Sequence, residues 1–256
     1  ARENGVPRKR FDFCRERRDI MDLSQNVKAV EEKIAAAARA AGRDPGEIAL
    51  CAATKVQTDD TIRAAIAAGV RLCGENRVQE LTAHLEANAY AGADVHFIGH
   101  LQTNKVRQVV GRVSLIHSVD SPRLLQAIET QADKLGLRQD ILLEVNVAGE
   151  ASKGGVSPED LPRLAELALT CPHVRLRGLM AIPPVSTVSG ANRKYFSQIR
   201  NLFVDIMSKM SDNQYNMDCL SMGMSADYED AVAEGATLVR VGTALFGPRP
   251  PMSPAQ

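Results

Sequence analysis

The run Ile48-Ala-Leu-Cys-Ala-Ala-Thr ends in one amine, Lys55. A stretch so short and so apolar reads as a strand covered on both faces, as in a parallel sheet. Lys55 then stands at the strand's carboxyl end, where parallel sheets and barrels bind ligands. An amine there suits a phosphate contact or an imine with an aldehyde. A lysine opening a solvated loop is the alternative. Near the other end of the chain, Ser221-Met-Gly-Met-Ser225 and Gly242-Thr243 place small and hydroxyl residues where a strand turns into a helix. Free N–H groups and the positive dipole end make such a turn a phosphate holder. Ordinary Gly/Ser turns would look the same.

These residues need a frame, and the chain supplies a repeated phrase of short apolar run, turn and amphipathic helix. The expected strands are Ile48–Lys55, Arg71–Gly74, Val95–Gly99, Ser114–Val119, Ile141–Val147, Leu176–Ile182, Cys219–Met222 and Thr237–Val241. Ser24 reads as the cap of a helix from Gln25 to about Ala41, with Val27, Val30, Ile34 and Ala38 at helical spacing and Gly42 ending it. A helix to about Val110 is expected after the third strand. Asp120-Ser-Pro122 opens another in the manner of a cap and an N1 proline. Further helices are expected over Glu159–Thr170 and from Asn192 to Met210. Eight such phrases fit a single-domain α/β fold, a closed (β/α)8 barrel of TIM type. An open doubly wound sheet is the alternative, but it would usually carry a Gly-rich first turn, and Lys55-Val-Gln-Thr has no glycine. The helix before the first strand is expected to fill the place of a missing last one.

In a barrel the usual phosphate site lies on the loops after strands seven and eight. That is where the two Gly/Ser turns fall. A lysine after strand one with a phosphate cup opposite makes a receptacle for pyridoxal 5′-phosphate (PLP). The attacking amine must be neutral, so its pKa must fall from about 10.4 through burial or a nearby cation. Arg240, two residues before Gly242, reaches the same mouth and can face the pyridine nitrogen; a salt bridge between neighbouring strands is its alternative role.

Composition narrows the rest. The chain has 256 residues, 31 basic and 31 acidic, so no global field favours nucleic acid or an anionic membrane. Aromatics make up 4% and Trp is absent, which argues against base-stacking platforms. The cysteines, Cys14, Cys51, Cys73, Cys171 and Cys219, lack zinc spacing and read as reduced thiols of a cytoplasmic protein. His96, His100 and His117 form at best a weak metal trio, and no metal site is expected. Neither a carboxylate pair for glycosidic chemistry nor a nucleophile elbow is present. No stretch is long and apolar enough to suggest a membrane span.

Longer motifs carry a resemblance. Cys73-Gly-Glu-Asn76 with Val78-Gln-Glu80, His96-Phe-Ile-Gly-His-Leu-Gln-Thr-Asn-Lys105, Gly178-Leu-Met-Ala-Ile182, Leu220-Ser-Met-Gly-Met-Ser-Ala-Asp227 and Val239-Arg-Val-Gly-Thr-Ala-Leu-Phe-Gly247 together resemble the pyridoxal phosphate homeostasis proteins. These are single-domain relatives of the alanine racemase N-terminal barrel. The resemblance runs from about Leu23 to Arg249. It implies that Lys55 forms the imine with PLP. It further implies that Ser221, Gly223, Met224, Ser225, Gly242 and Thr243 surround the phosphate, that Arg240 faces the ring nitrogen, and that Asn76 and Met180 lie near the ring. No catalytic residue follows from it. The implied role is balance of the vitamin B6 and amino-acid pools, with delivery of PLP to apo-enzymes. An amino-acid racemase and an aldolase using Lys55 without PLP are the competing readings. Two departures touch the pocket rim: Arg77 stands where an aromatic is usual, and Val56-Gln57 follows the lysine. The Glu150–Gly155 loop also differs in its glycines.

The expected organisation is an N-terminal extension over 1–20, poorly ordered, the barrel over 21–249 and a Pro-rich tail over 250–256. The extension carries seven Lys/Arg against four Asp/Glu. A basic arm touching an anionic partner is its alternative role.

Overall fold

The computed structural model describes residues 9–150, 153–186, 188–209 and 217–248, with side chains from Leu23 onward. Eight parallel strands close into a barrel in chain order. They are β1 (Ala49–Ala53), β2 (Leu72–Glu75), β3 (Asp94–Phe97), β4 (Leu115–Val119), β5 (Gln139–Val145), β6 (Val174–Ala181), β7 (Cys219–Met224) and β8 (Leu238–Val241). Closure is made by β1 against β8, with Cys51 opposite Arg240 and Ala52 opposite Val241. β5 is buried along all of its length, as a strand between a filled lumen and a helical jacket must be.

Strand parity sorts the side chains into two cores. Ile141, Leu143, Leu179, Leu220, Val239 and Val241 point outward to the helices. Cys51, Ala53, Leu142, Met180, Cys219 and Leu238 fill the lumen. Ser221 shares the parity of Cys219, and Arg240 that of Leu238, so both are inward residues.

The outer layer is α1 (Lys9–Ala40), α2 (Asp59–Ala67), α3 (Val78–Glu86), α4 (Pro122–Leu135), α5 (Leu161–Leu169), α6 (Arg193–Lys209), α7 (Tyr228–Ala233) and α8 (Thr243–Phe246). Ser121 caps α4 by accepting from Leu124 N, Pro122 opens it, and Gly136 ends it at φ 62°. α1 fills the expected gap: it packs on α7, α8 and α2 through Val27, Val30, Ile34 and Ala38. Asn26 Nδ2 donates to Leu245 O at 2.8 Å, and Arg43 Nη1 donates to Val232 O and Ala236 O, each at 2.8 Å.

Two expectations are corrected. The first helix starts at Lys9, upstream of Ser24, which lies within it and caps nothing. The third phrase holds only a 3₁₀ helix, Thr103–Gln108, where a helix to about Val110 was expected. Residues 1–8 of the extension, Arg249 and the Pro-rich tail over 250–256 lie outside the described residues, as do Tyr215, Met210 and the Cys14 side chain. Among the described residues, no helix is long and apolar enough to cross a membrane.

Candidate functional site

A cavity of about 250 Å³ opens at the carboxyl end of the barrel. Lys55, Asn76, Met224, Ser225, Arg240, Gly242 and Thr243 line it together, although they come from four different strand ends. Ala53, Ile98 and Ile182 make its apolar floor and side.

Lys55 follows β1 with the inward parity of Cys51 and Ala53. The next residue, Val56, is held at φ 59°. That region is costly for a β-branched residue and persists only when neighbours enforce it. Glu80 on α3 does so: its Oε2 accepts from Val56 N at 2.9 Å, while its Oε1 accepts from Arg77 Nη1 at 3.1 Å. Arg77 and Val56 are thus tied to one carboxylate.

Asn76 follows β2. Its Oδ1 is buried without a hydrogen-bond partner in the protein. Gly99 lets the end of β3 press on it, since a Cβ at position 99 would lie 2.1 Å from Asn76 O. Beside it, Glu75 is fully buried and accepts from Thr54 Oγ1 at 2.6 Å. Burial raises the Glu75 pKa, and the hydrogen bond from Thr54 opposes that rise.

Arg240 projects from β8 into the lumen, where it lines the cavity. Its Nη1 donates to Ser221 Oγ at 2.5 Å and its Nη2 to Ala181 O at 3.0 Å. No carboxylate pairs with it among the described residues, so its alternative role as an interstrand salt bridge is corrected. Burial lowers its pKa, and the nearby Cys51 and Glu144 oppose this. Ser221 also meets His117 Nδ1 at 3.0 Å, and His117 Nε2 meets His96 Nδ1 at 2.9 Å. The two imidazoles spend their facing nitrogens on each other, while His100 stands apart beside Asp120 at 3.8 Å.

The other wall is backbone. β7 and β8 shift register between Ser221 and Met224, which sets Met224 opposite Arg240. Gly223, at φ 90°, has no room for a side chain: a Cβ would lie 2.5 Å from Ala231 Cβ. Ser225 Oγ accepts from Gly242 N at 3.1 Å and Ala244 N at 3.2 Å, where α8 begins. Met224 N donates to Asp227 Oδ1 at 2.8 Å.

Seven of the ten expected site residues therefore meet in one cavity. Ser221 and Met180 lie beneath it in the lumen, and Gly223 belongs to the turn that shapes its wall. Sequence reasoning missed Glu80 as the clamp on the Lys55 turn. It also missed Asp227, which fixes the β7–α7 turn, and His117 behind Ser221. A polar residue at inward parity, as at His117 and Ser221, is the signal that would have found the latter pair.

Residues 25–250 match the alanine racemase N-terminal domain family. The pyridoxal phosphate homeostasis protein of Pseudomonas aeruginosa is 42% identical over 233 residues, covering 91% of this chain and 98% of that one. Its counterpart from Aquifex aeolicus is 43% identical over 231 residues, covering 90% and 99%. The structure of Synechococcus elongatus PipY with PLP bound superposes with a TM-score of 0.73 at 33% identity, over 88% of this chain and 100% of that chain. With this identity running nearly end to end, on a closed eight-stranded barrel, the chain belongs to the pyridoxal phosphate homeostasis protein family.

Proposed function

We propose that this protein binds PLP in the barrel-mouth cavity, with Lys55 joined to its aldehyde as an imine, and that it holds the cofactor for delivery to apo-enzymes. The observation that carries this reading is the meeting of three unlike groups in one cavity of about 250 Å³: an amine at Lys55, a buried guanidinium at Arg240, and the Ser225/Gly242/Thr243 turn. Each suits a different part of the molecule, namely the aldehyde, the ring nitrogen and the phosphate. The unpartnered Asn76 Oδ1 supplies an acceptor beside the ring. Bound PLP would bring an electron-accepting ring. A cation facing its nitrogen keeps that nitrogen unprotonated and weakens this capacity.

Holding rather than turnover is favoured by the lining. Lys55 and Arg240 are its only titratable side chains among the described residues. Racemisation needs a base on each face of the bound substrate. Tyr90 and Tyr228 are buried, and Tyr228 packs in the outer core. Four buried free thiols, Cys51, Cys73, Cys171 and Cys219, suit a reducing cytoplasm.

The test is the absorbance of purified, PLP-loaded protein before and after borohydride, with mass mapping of the reduced adduct. A reducible chromophore mapping to Lys55, lost in Lys55→Ala while the fold is kept, is expected. An adduct at another lysine removes the assignment. Sustained α-proton exchange of an amino acid into D₂O, abolished by Lys55→Ala, would promote the racemase reading.

A further inference from the structure

The third phrase is the thin place in the barrel's jacket. Because it makes only the 3₁₀ helix Thr103–Gln108, the flank of α4 beside it is left open as a groove of about 470 Å³. Thr103 and Asn104 line this groove. They belong to the Leu101–Lys105 end of one of the family motifs, and none of those five residues lines the cofactor cavity.

The groove is electrostatically one-sided. Arg107, Arg123 and Lys134 line it, and no carboxylate does. Residues 95–119 contain neither Asp nor Glu, in a chain whose 31 acidic and 31 basic residues otherwise balance. The two carboxylates of α4 are turned away: Glu129 meets His173 Nδ1 at 2.9 Å and Asp133 meets His173 Nε2 at 3.5 Å. The cations are also spread out. Arg123 and Lys134 stand eleven residues apart on α4, roughly 16 Å along its axis. A single phosphate cannot reach both, whereas about five residues of extended chain can. Between them Gln126, Thr130 and Gln131 offer amide and hydroxyl groups to a peptide backbone.

We propose that this groove docks an extended acidic peptide segment of a partner protein, its carboxylates pairing with Arg107, Arg123 and Lys134. The proposal is independent of how PLP is held. Single-stranded nucleic acid fits less well, because the lining has no aromatic side chain for base stacking.

Fluorescence anisotropy of the full chain with a labelled Glu/Asp-rich peptide, long enough to span the groove, tests this. The comparison ligands are its Gln/Asn counterpart and a single-stranded oligonucleotide of equal charge. The acidic peptide should bind most tightly and weaken as salt is raised. The triple variant Arg107→Glu/Arg123→Glu/Lys134→Glu should bind it about tenfold or more weakly. The neutral variant Arg107→Gln/Arg123→Gln/Lys134→Gln should fall between, and serves if the reversed one does not fold. Arg39→Glu, at an exposed position of α1, controls for net charge and should bind as the parent does. Absence of peptide binding, equal binding by the triple variant, an equal loss in Arg39→Glu, or equal or tighter binding of either comparison ligand overturns the proposal. The borohydride-reducible absorbance should be unchanged in all variants, which separates failure here from failure of the PLP reading.

Discussion

Ser221 Oγ lies 2.5 Å from Arg240 Nη1 and 3.0 Å from His117 Nδ1, on the lumen side of the cavity. The hydroxyl is fully buried and sits between a cation and an imidazole. It is placed to hold the guanidinium. The turn proposed above to hold the phosphate is at Ser225, beyond the end of β7.

Ser221→Ala should therefore loosen Arg240 and not the phosphate. A hydrogen bond to a charged group contributes about 1.5–3 kcal/mol, so the urea midpoint should fall accordingly. The affinities for PLP and for pyridoxal should drop together. A loss confined to PLP would return Ser221 to the phosphate side.

Ser225→Asp gives the opposite pattern. It puts a carboxylate beside Gly242 N and Ala244 N, the groups its hydroxyl now bonds. Losing a charge-assisted contact and adding repulsion should weaken PLP by about tenfold or more. Pyridoxal, which lacks the phosphate, should bind nearly as before. Isothermal titration with both ligands separates the two outcomes.

Val56→Gly should stabilise the protein. Valine at φ 59° carries about 1–2 kcal/mol of backbone cost, partly offset by the greater freedom of glycine in the unfolded chain. A gain of about 0.5–1 kcal/mol in chemical denaturation is expected. Glu80→Gln, which loses the ion pair with Arg77 but keeps an acceptor for Val56 N, should change little. Glu80→Ala should release the turn and lower imine formation at Lys55.

Acid stability should reflect the His96–His117 pair. Burial, with Arg177 adding to it, lowers the His96 pKa from 6.5 to about 4, and burial lowers His117 well below 6.5. Asp140 opposes the shift at His96. Between pH 6.5 and about 4 the unfolded chain takes up a proton that folded His96 refuses, so stability falls as pH falls. Glu75 and Glu144, raised by burial, act in the opposite sense. The His96 contribution is isolated by comparison with His96→Asn. In urea melts, the stability of His96→Asn relative to the parent should rise by up to about 1.4 kcal/mol per pH unit on acidification through this window. A pH-independent difference would show that His96 is protonated in the native protein.

Much of the barrel was legible because its strands are covered on both faces, so they appear as short apolar runs with turns between them. Phrase three misled because Val106, Val109 and Val110 have helical spacing. Their β-branched side chains are modest helix formers, and Gly111 at φ 77° breaks the chain away. Ser24 misled because a serine inside a helix costs little, so a cap-type residue alone does not mark a start. In the site, Lys55, Asn76, Ser225, Arg240 and Gly242 were readable as strand-end residues. Ser221 reads with Ser225 as one Gly/Ser turn, because the spacing of small and hydroxyl residues does not tell how deep each side chain sits. The Arg77–Glu80–Val56 tie was invisible because a contact between a helix and a loop leaves no periodic trace.

The seam between β1 and β8, with α1 laid over α7 and α8, has a consequence for synthesis. The cavity takes Lys55 from the first strand emerging from the ribosome and Arg240, Gly242 and Thr243 from the last. Its two halves stay apart until all eight strands of the barrel have been made, and closing so long a loop is entropically slow to be repaid. A ligand gripping both sides of that seam binds the sealed ring and no nascent fragment of it. Such a ligand would act as a latch, stabilising the finished ring against reopening by an amount that grows with the logarithm of its concentration.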